Sequence, residues 1–204
     1  MQTMAATKLP EVSTRLAVVY FSQTNSTHQI TNAVITGMTH TSGTMTFQYR
    51  IRGSEIHGGR FQNQELLQQL QTCHGIVFGT PTYMGSISAQ FKAFADATSE
   101  LWAQQSLAGK MAGGFTCGAS INGDQGTTIN YLMTLASQHG MLWAGLDAAA
   151  GYHSEGINRL GCQSGVVAHI DEGQIHPADL ASAEYLGARI AKQARLLNAA
   201  KELT

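Results

Sequence analysis

A chain of 204 residues, 43% hydrophobic and 12% charged, can bury one sizeable α/β core and little beyond it. A net charge of −1 with scattered basic residues leaves no electrostatic footprint for nucleic acid, and no apolar run nears the roughly 20 residues that cross a bilayer. Three widely spaced cysteines, Cys73, Cys117 and Cys162, form no CxxC pair and fit reduced thiols in a cytoplasmic protein. Eight histidines show no HxH or HExxH spacing, so no metal site is expected.

Residues 1–14 are polar and read as a loose tail before a single domain over 15–200. Leu16 to Phe21 is a short apolar strand, followed by helical spacing from Ile30 to Met38 and an alternating strand from Thr44 to Tyr49. Arg50 to Asn63 is a polar, Gly-rich loop, and Glu65 to Leu70 a short helix. Gly75 to Gly79 is the third strand and Ser88 to Thr98 a helix with Phe91 and Phe94 on one face. Lys110 to Thr116, Thr128 to Gln138 and Met141 to Leu146 read as strand, helix and fifth strand. Asp147 to Gly165 is mixed and Gly-rich, and can interrupt or extend that last strand. Pro177 opens a closing helix over Asp179 to Asn198. Five strands alternating with five helices predict a parallel sheet with right-handed crossovers.

In such a sheet, ligands seat beyond the carboxyl ends of the strands. The first such loop is Ser22-Gln23-Thr24-Asn25-Ser26-Thr27, uncharged throughout and directly before a helix. One Ser, Thr or Asn there would be a helix cap; five in six positions exceed that need. Hydroxyls together with the amides of a helix start suit a terminal phosphate held without a cation. There is no GxxxxGK[ST] and no GxGxxG, which disfavours a P-loop and a standard dinucleotide fold. Two further loops after strands, Gly79 to Ser86 and Thr116 to Asp124, are rich in Gly and small polar residues and can offer backbone donors to a flat, polar-edged ring. Each alone is an ordinary turn.

With these loops in view, the chain resembles the flavodoxin-like family of flavin mononucleotide (FMN) proteins, and most of all the WrbA-type NAD(P)H:quinone oxidoreductases. The carrying motifs are Ser22 to Thr27, FGTPTYMG at 78–85, FKAFADATSELW at 91–102, GFTCGAS at 114–120 and LASQHGM at 135–141. The resemblance implies a doubly wound, five-stranded parallel sheet of order 2-1-3-4-5 with helices on both faces. It implies FMN, with NADH or NADPH as electron donor, a small quinone-like acceptor, and assembly as a homodimer or homotetramer, with no nucleic-acid or membrane partner. By position, Ser22, Thr24, Asn25, Ser26 and Thr27 would bind the phosphate. Pro81, Thr82, Tyr83, Met84 and Gly85 would follow the ring edge, and Thr116, Cys117, Gly118, Ala119 and Ser120 would contact ring and ribityl chain. His139 would sit near the phosphate or ring edge. Trp102, with Tyr83, would face the substrate, Trp102 from across a subunit interface. Asn25 stands where the family usually has Gly, and Asn tolerates left-handed backbone. No catalytic acid or nucleophile is implied, because the flavin carries the chemistry.

Bland readings stand beside these. His139 precedes Gly140 at a helix end, where an imidazolium suits the dipole. Trp102 can cap the core, Cys117 can be a small residue in a tight loop, and Asp124 can cap the next helix. A non-enzymatic electron carrier of flavodoxin type is the alternative function; carriers that dock by charge are strongly acidic, and this chain is not.

Overall fold

The computed structural model describes residues 13–151, 154 and 156–201. Most of the expected tail lies outside these residues. Thr14, assigned to that tail, already belongs to the first strand and is buried.

The elements in order are β1 (Thr14–Tyr20), α1 (Ser26–Thr39), β2 (Thr44–Arg50), β3 (Ile56–His57), β4 (Arg60–Phe61), α2 (Gln64–Gln71), β5 (Gly75–Tyr83), β6 (Ser86–Ile87), α3 (Ala89–Ala97), α4 (Ser99–Ala103), β7 (Met111–Gly118), α5 (Gln125–Gln138), β8 (Leu142–Trp143), β9 (Val166–Asp171), β10 (Gln174–Ile175) and α6 (Pro177–Lys201). The main path of the sheet runs β10-β9-β7-β5-β1-β2. The pairs from β2 to β9 are parallel, β10 folds back antiparallel on β9, and β6 folds back on β5. This is the expected order 2-1-3-4-5, extended by one antiparallel edge.

Alternation along the central strands splits the core in two. Leu16, Val18 and Tyr20 of β1 join Val77 and Phe115 under α1 and α6. Ala17, Val19 and Phe21 join Ile76 and Phe78 under α2, α3 and α5. Both sets are almost wholly removed from water, which is why these strands read as continuous apolar runs.

The fifth strand differs from the sequence expectation. Only Leu142–Trp143 pairs there, against Met111 and Ala112 at the start of β7. The upper half of that ladder is Val166 to His169, against Phe115 to Gly118. Between them, the described residues of 144–165 lie outside the sheet. The departure is pinched shut: Leu146 N donates to Gln163 O at 2.7 Å and Trp143 Nε1 to Ser164 O at 2.7 Å. Gly145 is required at the pinch, because a Cβ there would lie 2.0 Å from Gln163 O. The 50–63 loop is also more ordered than its composition suggests. It holds a short hairpin, anchored by Asn63 Nδ2 donating to the Tyr49 phenol oxygen at 2.6 Å while Asn63 Oδ1 caps α2. Trp102 falls on α4, a short helix just past Thr98, where the sequence reading ended the preceding helix and expected no further one.

Candidate functional site

The carboxyl ends of β1, β5 and β7 meet at one edge of the sheet. Phe21 N donates to Gly79 O at 3.0 Å, tying the first loop to β5. Thr27 Oγ1 and Cys117 Sγ lie 3.5 Å apart, tying the start of α1 to the end of β7. The three sequence-predicted loops therefore form one cradle.

The first wall is the turn into α1. Ser22, Ser26 and Thr27 are buried, while Thr24 and Asn25 are exposed at the rim. Asn25 has φ 75° and makes no side-chain cap to the helix it precedes. This is the left-handed geometry expected of Asn at a Gly position. Ser22 Oγ accepts from His28 N at 3.3 Å, and Thr24 Oγ1 lies 3.4 Å from Ser26 Oγ. α2 and α3 are capped by side chains, Asn63 and Ser88 accepting from Leu66 N and Phe91 N, whereas α4 and α5, like α1, have no such bond from the N-cap residue. Of the turn's hydroxyls only Ser22 Oγ serves an amide of the first turn of α1, and the positive end of the helix faces the cradle.

The second wall is no loose loop. β5 continues through Pro81 and Thr82 to Tyr83, pairing with β7 as far as Pro81 opposite Cys117. It then reverses through Met84 (φ 47°) and Gly85 (φ 74°) into β6. Two successive positive φ values make a two-residue turn whose twist matches the hairpin. Tyr83 is half-exposed and Met84 fully so. Burial against the hairpin raises the Tyr83 phenol above its ordinary range, so it stays protonated at neutral pH.

The third wall is braced from inside. Thr116 donates to Thr80 O at 2.7 Å, and its hydroxyl lies 2.8 Å from that of Thr82, itself 2.8 Å from Thr128. The Thr116 side chain is thus consumed internally. Gln125 Nε2 donates to Ser120 O at 2.5 Å, and Gln125 Oε1 accepts from Gly123 N at 2.8 Å. A Cβ on Gly118 would lie 2.7 Å from Gln125 Nε2, so a larger residue there would push the Gln125 side chain off the turn it braces. Ala119 and Ser120 remain exposed; His169 Nε2 lies 3.2 Å from Ala119 O. Asp124 occupies the N-cap position of α5 in left-handed geometry, but its side chain makes no cap bond. Burial pushes the Cys117 thiol up to about 11, with Thr27 pulling weakly the other way.

Two predicted residues lie elsewhere. His139 ends α5, whose 14 residues span about 21 Å away from the cradle. It sits where Gly109 N donates to Gly140 O, at the amino edge of the sheet. Trp102, half-exposed on α4, is beside it: Gln105 Nε2 donates to both Trp102 O and Gln138 O. Within one chain neither reaches the three loops. His139 is 2% exposed; its Nε2 lies 2.8 Å from Thr98 Oγ1 and its Nδ1 has no partner. Burial holds its pKa below the ordinary value near 6.5. The unfolded chain therefore takes up this proton first, and stability is lost progressively as pH falls below about 6.5. His139→Gln is expected to flatten that part of the profile, read as urea midpoints at about pH 7.5 and 5.5; an unchanged slope would count against His139 as its source.

Sequence reading missed Arg50, His28, Thr128, Gln125 and His169, which support the loops from neighbouring elements. Gln125, first in a helix after a Gly-rich turn, carried the best available signal.

The comparisons agree with this architecture. A family model described as NADPH-dependent FMN reductase matches residues 50–153. A protein named flavodoxin FldP from Pseudomonas aeruginosa is 41% identical over 143 residues, 66% of this chain and 76% of that one. An NAD(P)H dehydrogenase (quinone) from Chromohalobacter salexigens is 32% identical over 142 residues, 65% and 71% of the two chains. The solved structure of a WrbA-like flavodoxin protein from Agrobacterium tumefaciens superposes with a TM-score of 0.70 at 36% identity, covering 90% of this chain and 99% of the other. With a flavodoxin-like sheet and a family match across half its length, the chain belongs to the NADPH-dependent FMN reductase family.

Proposed function

We propose that this chain is an FMN-dependent oxidoreductase that passes a hydride from NAD(P)H to a quinone-type acceptor. The observation that carries the reading is the start of α1: no side-chain cap from Asn25, and a turn of buried Ser22, Ser26 and Thr27 whose Thr27 hydroxyl meets Cys117 at the end of β7. A phosphate ester fits such a seat, because amides and hydroxyls donate to it and the helix dipole favours its charge. FMN, when bound, supplies two-electron transfer between a nicotinamide and a quinone.

The chain's own residues then have assigned tasks. Ser22, Thr24, Asn25, Ser26 and Thr27 hold the phosphate. Pro81, Thr82, Tyr83, Met84 and Gly85 border the ring, with Tyr83 and Met84 shielding it from water. Cys117, Gly118, Ala119 and Ser120 line the opposite side, held rigid by Gln125 and by the Thr82–Thr116–Thr128 hydroxyl chain. Thr116 contributes through its backbone, its hydroxyl being spent. Main-chain N–H groups of this turn would face the ring edge and, fixed in place beforehand, would stabilise negative charge there. Trp102 would reach a substrate, and His139 the cofactor, only from a second copy of the chain, so the reading includes a homodimer or homotetramer. Among the described residues no helix is long and apolar enough to cross a membrane; we place the enzyme in the cytoplasm.

The test is steady-state oxidation of NADPH and NADH with benzoquinone, using protein saturated with FMN. Turnover with at least one donor is expected, and none with either would reject the reading. The relative named flavodoxin keeps the electron-carrier alternative in play. A reductive titration separates them: a carrier halts at a one-electron plateau, whereas this chain is expected to take two electrons without one.

A further inference from the structure

The phosphate turn carries no charge in sequence, yet the fold brings one up behind it. Arg50, the last residue of β2, lies opposite Tyr20 in the parallel register, and its Nη2 donates to Ser22 O at 2.6 Å. The Tyr20 phenol is 2.6 Å from His28 Nδ1 on the first turn of α1, and the two rings stack at 5.7 Å. Arg50 is close enough to oppose the rise that burial imposes on the Tyr20 phenol. Among the described residues Arg50 is in no ion pair with a carboxylate, unlike Lys92, Arg159 and Arg189. Its charge is therefore not neutralised locally.

Two consequences follow from elementary geometry. In a trans peptide the C=O and N–H point to opposite sides. Drawing Ser22 O toward Arg50 turns the Gln23 N–H the other way, away from the guanidinium. Arg50 also sets a positive charge against Ser22, the first residue of that turn, reinforcing the positive end of α1. The side chain is exposed, so the fold does not depend on burying it.

We propose that Arg50 is the positioning residue of the phosphate site: through the Ser22 carbonyl and its own charge, it makes the turn select a phosphorylated flavin over an unphosphorylated one. This rests on the reading that FMN seats at the start of α1.

The experiment measures dissociation constants for FMN and for riboflavin, by quenching of flavin fluorescence, in the wild type and in Arg50→Ala, Arg50→Gln and Arg50→Lys. Thermal unfolding of each variant confirms an intact fold. Arg50→Ala and Arg50→Gln are expected to weaken FMN about tenfold while riboflavin moves less than about twofold, and Arg50→Lys to restore FMN to within about threefold. A merely structural role would weaken both flavins together, and that result overturns the proposal. So does FMN affinity unchanged in Arg50→Ala, or fully retained in Arg50→Gln, which donates a hydrogen bond without charge. If the wild type binds neither flavin, the functional reading itself fails; if it binds FMN and the variants match it, only the role of Arg50 fails.

Discussion

Replacing Gly187 by Ala is expected to destabilise the protein by about 3 kcal/mol, although the same change in an open helix would favour folding by up to about 1 kcal/mol. α1 and α6 cross here with their backbones nearly touching. A Cβ on Gly187 would lie 2.0 Å from Val34 O and 3.1 Å from Met38 N. The reciprocal contact is tighter: a Cβ on Gly37 would lie 1.8 Å from Glu184 O. Both obstacles are main chain, so no rotamer change relieves them and the helices must part. Thermal unfolding should show a fall of roughly 6–12 °C for a chain of this size. A midpoint within a degree of wild type would show that the crossing is looser than described. The defect also reaches the site, because α1 presents Ser26 and Thr27 at its other end; FMN affinity should fall with stability.

Removing the Asp179 carboxylate should have a comparable effect by a different route. Asp179 is 1% exposed in the first turn of α6. It lies 2.8 Å from Arg159 Nε, accepts from Arg159 Nη2 at 2.8 Å and from His169 N at 2.9 Å. One carboxylate thus joins the segment that splits the fifth strand, the strand that resumes after it, and the closing helix. Asp179→Ala leaves a guanidinium and a backbone N–H without acceptors. Breaking a buried pair this way costs about 3–5 kcal/mol, and the lower end applies because the Arg159 side chain keeps 26% of its exposure. Asp179→Asn keeps an acceptor for His169 N and should recover part of the loss. Urea denaturation of both variants reads the difference; equal midpoints for Asp179→Ala and wild type would contradict it.

The parts of the fold legible in sequence are those where one physical signal dominates. β1 and β5 are covered on both faces, so they are runs of apolar residues with no competing pattern. The turn between β1 and α1 was legible for a related reason: a run of small polar residues directly after a buried apolar strand marks where the strand stops and a helix begins. The split fifth strand was not legible, because Leu142–Trp143 is too short to signal alone, and what unites it with Val166–Asp171 is pairing to β7, a contact far away in sequence. The placement of His139 and Trp102 was hidden likewise. Their motifs lie beside site motifs in the chain, but α3 and α5 carry them to the opposite edge. Arg50 escaped notice because parallel pairing, not sequence proximity, brings it to Ser22.

The state of Cys117 has a chemical consequence for an enzyme that handles quinones. Quinones are soft electrophiles, and the species that attacks them is the thiolate. A thiol held near 11 is ionised in about one molecule in ten thousand at neutral pH. Seated at the floor of the cradle with 1% of its surface open, it is also shielded from approach. Such a pocket could turn over an arylating compound many times without being alkylated by it, a chemical tolerance secured by withholding water from one sulfur.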